Sequence, residues 1–172
     1  MSADQYTPKY IALNDEEFKI KIKISKQMLS SCCLCPRQCH VDRLSGELGY
    51  CNSGNKAEVS HWQRHYGEEP PFNQKNGAGT IFFAHCNMHC VYCQNHQISQ
   101  QQGDKNNISI AELADIMLKL QKEKAENIDL VSPTHFIPMI IESIYIARQS
   151  GLKTPIVYNT NGYESESALE RI

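Results

Sequence analysis

No stretch of this chain approaches the ~20 consecutive apolar residues that a membrane-spanning helix requires. The first ten residues lack the basic start and apolar middle of a secretory leader. A surplus of positive charge is missing too, since 17 Lys and Arg stand against 19 Asp and Glu for a formal net charge of −2. That balance excludes a protein built chiefly to neutralise nucleic-acid phosphates or an anionic membrane surface. Internal repeats and low-complexity segments are absent. With no export or membrane signal, the expected location is the cytoplasm. At 172 residues and 41% hydrophobic content, the chain can build the core of about one domain.

Against this plain background stand eight cysteines in two groups, Cys32, Cys33, Cys35, Cys39 and Cys51 in the first and Cys86, Cys90 and Cys93 in the second. In a reducing cytosol, tight cysteine spacing points to metal binding and not to a disulfide framework.

Residues 14–31 read as a helix opened by Asn14 or Asp15, with Phe18, Ile22, Met28 and Leu29 on its apolar face. Phe18, Ile20, Ile22 and Ile24 also alternate with lysines as a strand would, and Lys19, Lys21, Lys23 and Lys26 are taken as a solvated face. Residues 32–55 hold too few apolar side chains to keep a shape by burial alone. Residues 67–79 are turn-rich, and residues 80–84 read as a short buried strand. Ser109 and Glu112 form a capping box, followed by the helical stripe Ile110, Leu113, Met117 and Leu120. A second strand at 128–131 precedes a helix whose core face is Ile137, Ile140, Ile141, Ile144 and Ala147, stopped by Gly151. A third strand follows at 155–158. Alternating strands and helices predict a parallel βαβαβ sheet with right-handed crossovers. In such sheets chemistry gathers at the carboxyl ends of the strands, which here are His85-Cys86, the loop from Ser132 to His135, and Asn159-Thr160-Asn161.

Cys86-Asn-Met-His-Cys90-Val-Tyr-Cys93 offers three thiolates within eight residues, and no fourth cysteine follows. A structural zinc or an ordinary four-iron cluster takes four protein ligands, so three leave one iron open. A zinc knuckle completed by His85, His89 or His96 is the alternative for these residues; His85 and His89 are otherwise read as loop residues at the rim of a cluster.

The spacing Cys-x3-Cys-x2-Cys, with an aromatic before the last cysteine, resembles the signature of radical S-adenosylmethionine (radical SAM) enzymes. Gly79-Thr-Ile-Phe-Phe-Ala-His-Cys86, Val131-Ser-Pro-Thr-His135 and Val157-Tyr-Asn-Thr-Asn-Gly-Tyr163 resemble the branch related to pyruvate formate-lyase activating enzymes. The resemblance implies a [4Fe–4S] cluster on Cys86, Cys90 and Cys93, with S-adenosyl-L-methionine chelating the fourth iron. Reductive cleavage would then give a 5′-deoxyadenosyl radical that abstracts hydrogen from a protein or small-molecule substrate. It further implies an electron donor such as flavodoxin or ferredoxin, and Tyr92 against the adenine. The best-known pattern holds the methionyl amine with a Gly-Gly-Glu-Pro loop; here that slot reads Ser132-Pro133-Thr134-His135, so a hydroxyl or carbonyl is expected to substitute, with Ser132 and Thr134 as acceptors and capping of the following helix as their alternative role. Asn159 and Asn161 complete the expected cofactor-binding residues.

In the first group, Cys32, Cys35, Cys39 and Cys51 have spacing suited to a closed site, a structural zinc or a second iron–sulfur cluster, with Cys33 as the spare. Unliganded packing thiols are the bland alternative. The same branch carries a comparable Cys-Pro-Arg-x-Cys block.

The expected architecture is therefore α/β. A helix and Cys-rich metal-binding segment over 1–60 precede the first half of a radical SAM (β/α) barrel over 61–172, about three βα units of a barrel whose later strands lie outside this sequence. The competing reading is a non-enzymatic iron–sulfur electron carrier or a zinc-organised interaction module.

Overall fold

The computed structural model describes residues 7–73, 75–101 and 106–172. The first six residues of the segment read for a leader lie outside them. Among the described residues, six helices and five strands run in the order α1 Lys9–Ala12, α2 Asp15–Gln27, β1 Ala57–His65, β2 Ala78–Phe83, α3 His96–Ser99, β3 Asn106–Ile108, α4 Ile110–Lys122, β4 Ile128–Val131, α5 Ile137–Gln149, β5 Ile156–Asn159 and α6 Glu166–Leu169. A 3-10 turn, Thr134–Phe136, leads into α5.

The helix reading of the lysine-rich segment holds, because its ends are chemically fixed. Asn14 Oδ1 accepts from the Glu17 backbone N–H at 2.9 Å, and the Glu17 carboxylate accepts from the Asn14 N–H at 2.8 Å. Ser109 and Glu112 cap α4 in the same reciprocal way. Gly151, at φ +94°, closes α5 with Leu152 N–H bonded back to Ala147 O at 2.9 Å.

One mixed sheet, in the order β3-β1-β2-β4-β5, organises the chain. β2, β4 and β5 are parallel, as the alternation of strands and helices predicted. The two strands before them in the sheet are antiparallel additions that the sequence reading did not contain. β1 runs across residue 60 and carries a bulge between Val59 and His61. Facing β2 and β4, Leu113, Met117 and Leu120 of α4 and Ile137 and Ile140 of α5 cover Ile81, Phe83, Ile128 and Leu130. Among the described residues no helix is long and apolar enough to cross a membrane.

The Cys-rich segment is not held by its cysteines alone. Leu29 and Leu34, each 2% exposed, join the main core. Arg43, 1% exposed, donates to Gly54 O through Nε (2.9 Å) and Nη2, and to His135 O through Nη1 at 2.8 Å. A buried guanidinium satisfied by carbonyls stitches this segment to the loop after β4. Arg43→Ala would strand both acceptors, so we expect it to destabilise the fold by about 3 kcal/mol, read as a lower denaturation midpoint with an unchanged slope.

Candidate functional site at the carboxyl ends of the parallel strands

The second cysteine group sits just beyond β2. Cys86 is buried at 8% exposure, while Cys90 and Cys93 are half-buried and Val91 and Tyr92 stand out at 99% and 85%. His85 and His89 adopt left-handed backbone conformations, at φ +67° and +58°, which lets the chain double back between the thiols. The Cys86 sulfur receives the Met88 backbone N–H at 3.3 Å and Asn161 Nδ2 at 3.5 Å. Cys93 Sγ lies 3.4 Å from Ser99 Oγ, and Gln100 Nε2 donates to Cys90 O at 2.9 Å. Donors aimed at sulfur are what a thiolate needs, so this loop fits an iron–sulfur ligand set.

Asn161 comes from the loop after β5, so the first and third parallel strand ends do meet at Cys86. Its Nδ2 also donates to Asn87 Oδ1 at 2.7 Å, and Asn87 Nδ2 donates to Tyr163 O at 2.6 Å. Asn87, 1% exposed, thus pins the cysteine loop to the β5 loop. Asn159 instead bonds Asp129 Oδ2 at 3.4 Å, on the sheet's other face from the helices.

His85 is a loop residue next to Cys86 and is buried. Its Nε2 lies 3.0 Å from Glu58 Oε2, and that bond from β1 commits one ring nitrogen to a carboxylate. His89 packs against Tyr50 with ring centroids 4.6 Å apart.

At the slot expected to hold an amine, Ser132 is left-handed at φ +51°. Thr134 is fully buried; its hydroxyl donates to Glu164 Oε1 at 2.8 Å and lies 2.9 Å from Tyr158 OH. Thr160 Oγ1 donates to the same carboxylate oxygen. Glu164 therefore brings to the amine slot a carboxylate that the sequence reading did not place there. His135 Nε2 donates to Ala84 O at 2.9 Å, and burial pushes this ring down to about 3, which keeps it neutral.

In the first group, Cys32, Cys35, Cys39 and Cys51 line one cavity together with Arg37, Asn87 and His135, whereas Cys33 does not line it. Burial pushes the Cys35 thiol up, opposed by hydrogen bonds from the Arg37 backbone and the Asn87 side chain. Gly49 is required beside Cys39, since a Cβ there would meet Cys39 Cβ and Sγ at 3.0 Å, and Tyr50 N–H reaches Cys39 Sγ at 3.5 Å. Four thiols around one cavity, with backbone N–H groups on two of them, fit a metal or cluster. Among the described residues, however, no three His, Cys, Asp or Glu side chains converge tightly enough to hold a single ion.

The two groups adjoin. Asn87 touches Cys35, and Arg37 Nε donates to Asn87 O at 2.7 Å with its guanidinium 3.3 Å from the Tyr50 ring centroid.

Asp129 sits within β4, on the sheet face turned away from α4 and α5. Burial pushes its carboxyl from 3.8 to about 6, with Glu68 and Glu69 adding to the rise and Asn159 and His65 opposing it. The folded state thus holds more protons than the unfolded chain between about pH 4 and 6, and stability falls as pH rises through that window. Asp129→Asn removes that loss, so its melting temperature is expected to exceed wild type at pH 7 and to converge with it near pH 4.

Comparison with known proteins agrees with this geometry. The family model of the radical SAM superfamily matches residues 80–172. An uncharacterised protein of Methanocaldococcus jannaschii is 32% identical over 151 residues, covering 84% of this chain and 42% of that protein. This chain spans less than half the length of that relative. No solved structure matches.

Proposed function

The chain belongs to the radical SAM superfamily, and from that premise we propose that Cys86, Cys90 and Cys93 hold a [4Fe–4S] cluster with one iron left to S-adenosylmethionine. The superfamily normally uses this pair of cofactors. The observation that carries the reading is the Cys86 loop itself: three thiols beyond a parallel strand, one of them buried and accepting two N–H donors. Held by these three cysteines, a cluster reduced by an external donor would supply the one-electron chemistry for reductive cleavage of S-adenosylmethionine.

The protein's own side chains then position and shield. The exposed Tyr92 ring offers the adenine a stacking surface. Asn161 steadies the Cys86 sulfur, and Asn159 presents its amide at the end of β5. Ser132 keeps its hydroxyl for the methionyl amine, while Thr134 acts by orienting Glu164, whose carboxylate attracts an ammonium more strongly than a hydroxyl does. Cys32, Cys35, Cys39 and Cys51 hold a zinc or a second iron–sulfur cluster. The three parallel strands form the first part of a (β/α) barrel preceded by the Cys-rich unit, working in a reducing cytoplasm with a flavodoxin- or ferredoxin-type donor. The chemistry so supplied would be hydrogen abstraction from a substrate, in the manner of an activating enzyme.

Anaerobic reconstitution followed by dithionite and S-adenosylmethionine tests this. About four irons at the second group, with release of 5′-deoxyadenosine and methionine, is the expected result. A preparation that takes up only zinc and binds no nucleoside would favour the interaction-module reading instead.

A further inference from the structure

A cleft on the sheet face opposite α4 and α5 takes no part in holding the cluster. Glu68 and Glu69, from the turn-rich stretch after β1, line it with Asp129, Asn159 and Thr160, and Phe72 supplies an apolar wall. Among the described residues, Asp129 Oδ1, in a residue 2% exposed, and Thr80 Oγ1, in one fully buried, have no hydrogen-bond partner. Thr80 stands opposite Asp129 in the β2–β4 register, so both side chains leave the sheet on the same side. Asn159 already satisfies Asp129 Oδ2. A buried carboxylate oxygen without a donor is costly unless a ligand brings one.

The sign of the charge narrows the ligand. Three carboxyls line the cleft and, among the described residues, no Lys or Arg does; His65 Nε2 lies 3.9 Å from Glu68 Oε1. Their spacing narrows it further. The acceptors are spread along the cleft beside an aromatic ring, and among the described residues none of them cluster as ligands of a metal ion. Spread acceptors with an apolar wall suit a cationic head on a carbon stem.

We propose that this cleft binds an alkylammonium group of the substrate, so that the protein acts on a primary amine. The proposal rests on the radical SAM reading above and names the class of molecule brought to this sheet face, where the cleft runs from the turn beside the amino end of β2 to Asn159 and Thr160 at the carboxyl end of β5. The amine of S-adenosylmethionine is the other source of the same chemistry, and Glu164 beside Thr134 gives it a separate partner.

The test titrates n-butylammonium into the full reconstituted chain and follows the amide resonances of Asn159 and Thr160, with n-butanol as the uncharged control. Saturable binding of the ammonium at least ~10-fold tighter than the alcohol is expected, weakened at least ~10-fold in both Asp129→Asn and Glu69→Gln. Equal binding of ammonium and alcohol overturns the proposal, as does undiminished binding in both variants. The titration is then repeated with saturating S-adenosylmethionine: unchanged affinity assigns the cleft to substrate, and competition overturns that assignment in favour of the cofactor's amine. Because the readout needs neither turnover nor cofactor cleavage, its failure leaves the cluster reading standing. A chain that binds the amine but no iron would fail only the cluster reading.

Discussion

Single replacement of Cys86, Cys90 or Cys93 by alanine is expected to lower bound iron by about four per chain and to take S-adenosylmethionine cleavage below detection. Two thiolates cannot retain a cubane against solvent and chelators, so the loss is all-or-none. Cys86 should be the most sensitive position. It is buried at the end of β2 and draws hydrogen bonds from two directions, so an alanine there also leaves Met88 N–H and Asn161 Nδ2 without their acceptor. Asn161→Ala separates the two effects. It should keep the iron and shift the cluster potential downward, because one N–H donor to sulfur is gone. Iron analysis and redox titration of the four variants check the pattern.

Loss of the metal proposed for the first group is expected to be the larger structural event. Residues 32–55 contribute few side chains to the core, chiefly Leu34 and the stem of Arg43. Their shape otherwise depends on left-handed residues at Gln38, His40 and Asn52, which are unfavourable without something to enforce them. A bound structural metal contributes on the order of 10 kcal/mol in small cysteine sites. Cys35→Ser or Cys39→Ser, or a strong chelator, should therefore bring amide exchange in residues 32–55 close to that of an open chain. Exchange in α4 and α5, which pack on each other and on the sheet, should stay slow. Cys33→Ser is the informative control. Cys33 does not line the cavity, and its carbonyl is engaged by Ser165 Oγ at 2.8 Å, so metal content and exchange should match wild type.

These contrasts follow the division between what the sequence made legible and what it did not. The α2 and α4 starts were readable because Asn14 and Ser109 satisfy the first-turn N–H groups with side chains three residues away, an entirely local signal. The parallel strands were readable because each is a short apolar run between polar loops. β1 was missed for a physical reason: its bulge between Val59 and His61 breaks the two-residue alternation that marks a strand. β3 has only three residues, too few for any period. At the site, the cysteines announced themselves by spacing. Arg43, Asn87 and Glu164 did not, because their roles come from distant partners: Arg43 meets His135 across 92 positions, and Asn87 meets Tyr163 across 76. Asn161 was legible because it stands at the carboxyl end of the third parallel strand, where such sheets gather their chemistry. The Thr134 slot illustrates the cost of reading polar residues locally, since the missing carboxylate arrives from 30 residues further on.

The central claim is the open iron on the Cys86, Cys90 and Cys93 cluster, and the most direct measurement is electron paramagnetic resonance of the reduced, reconstituted chain with S-adenosylmethionine labelled at its amine nitrogen. The account predicts that the cofactor alters the cluster signal and that the labelled nitrogen shows hyperfine coupling to it. A signal indifferent to the cofactor, with coupling to a fourth protein ligand in its place, would contradict the account.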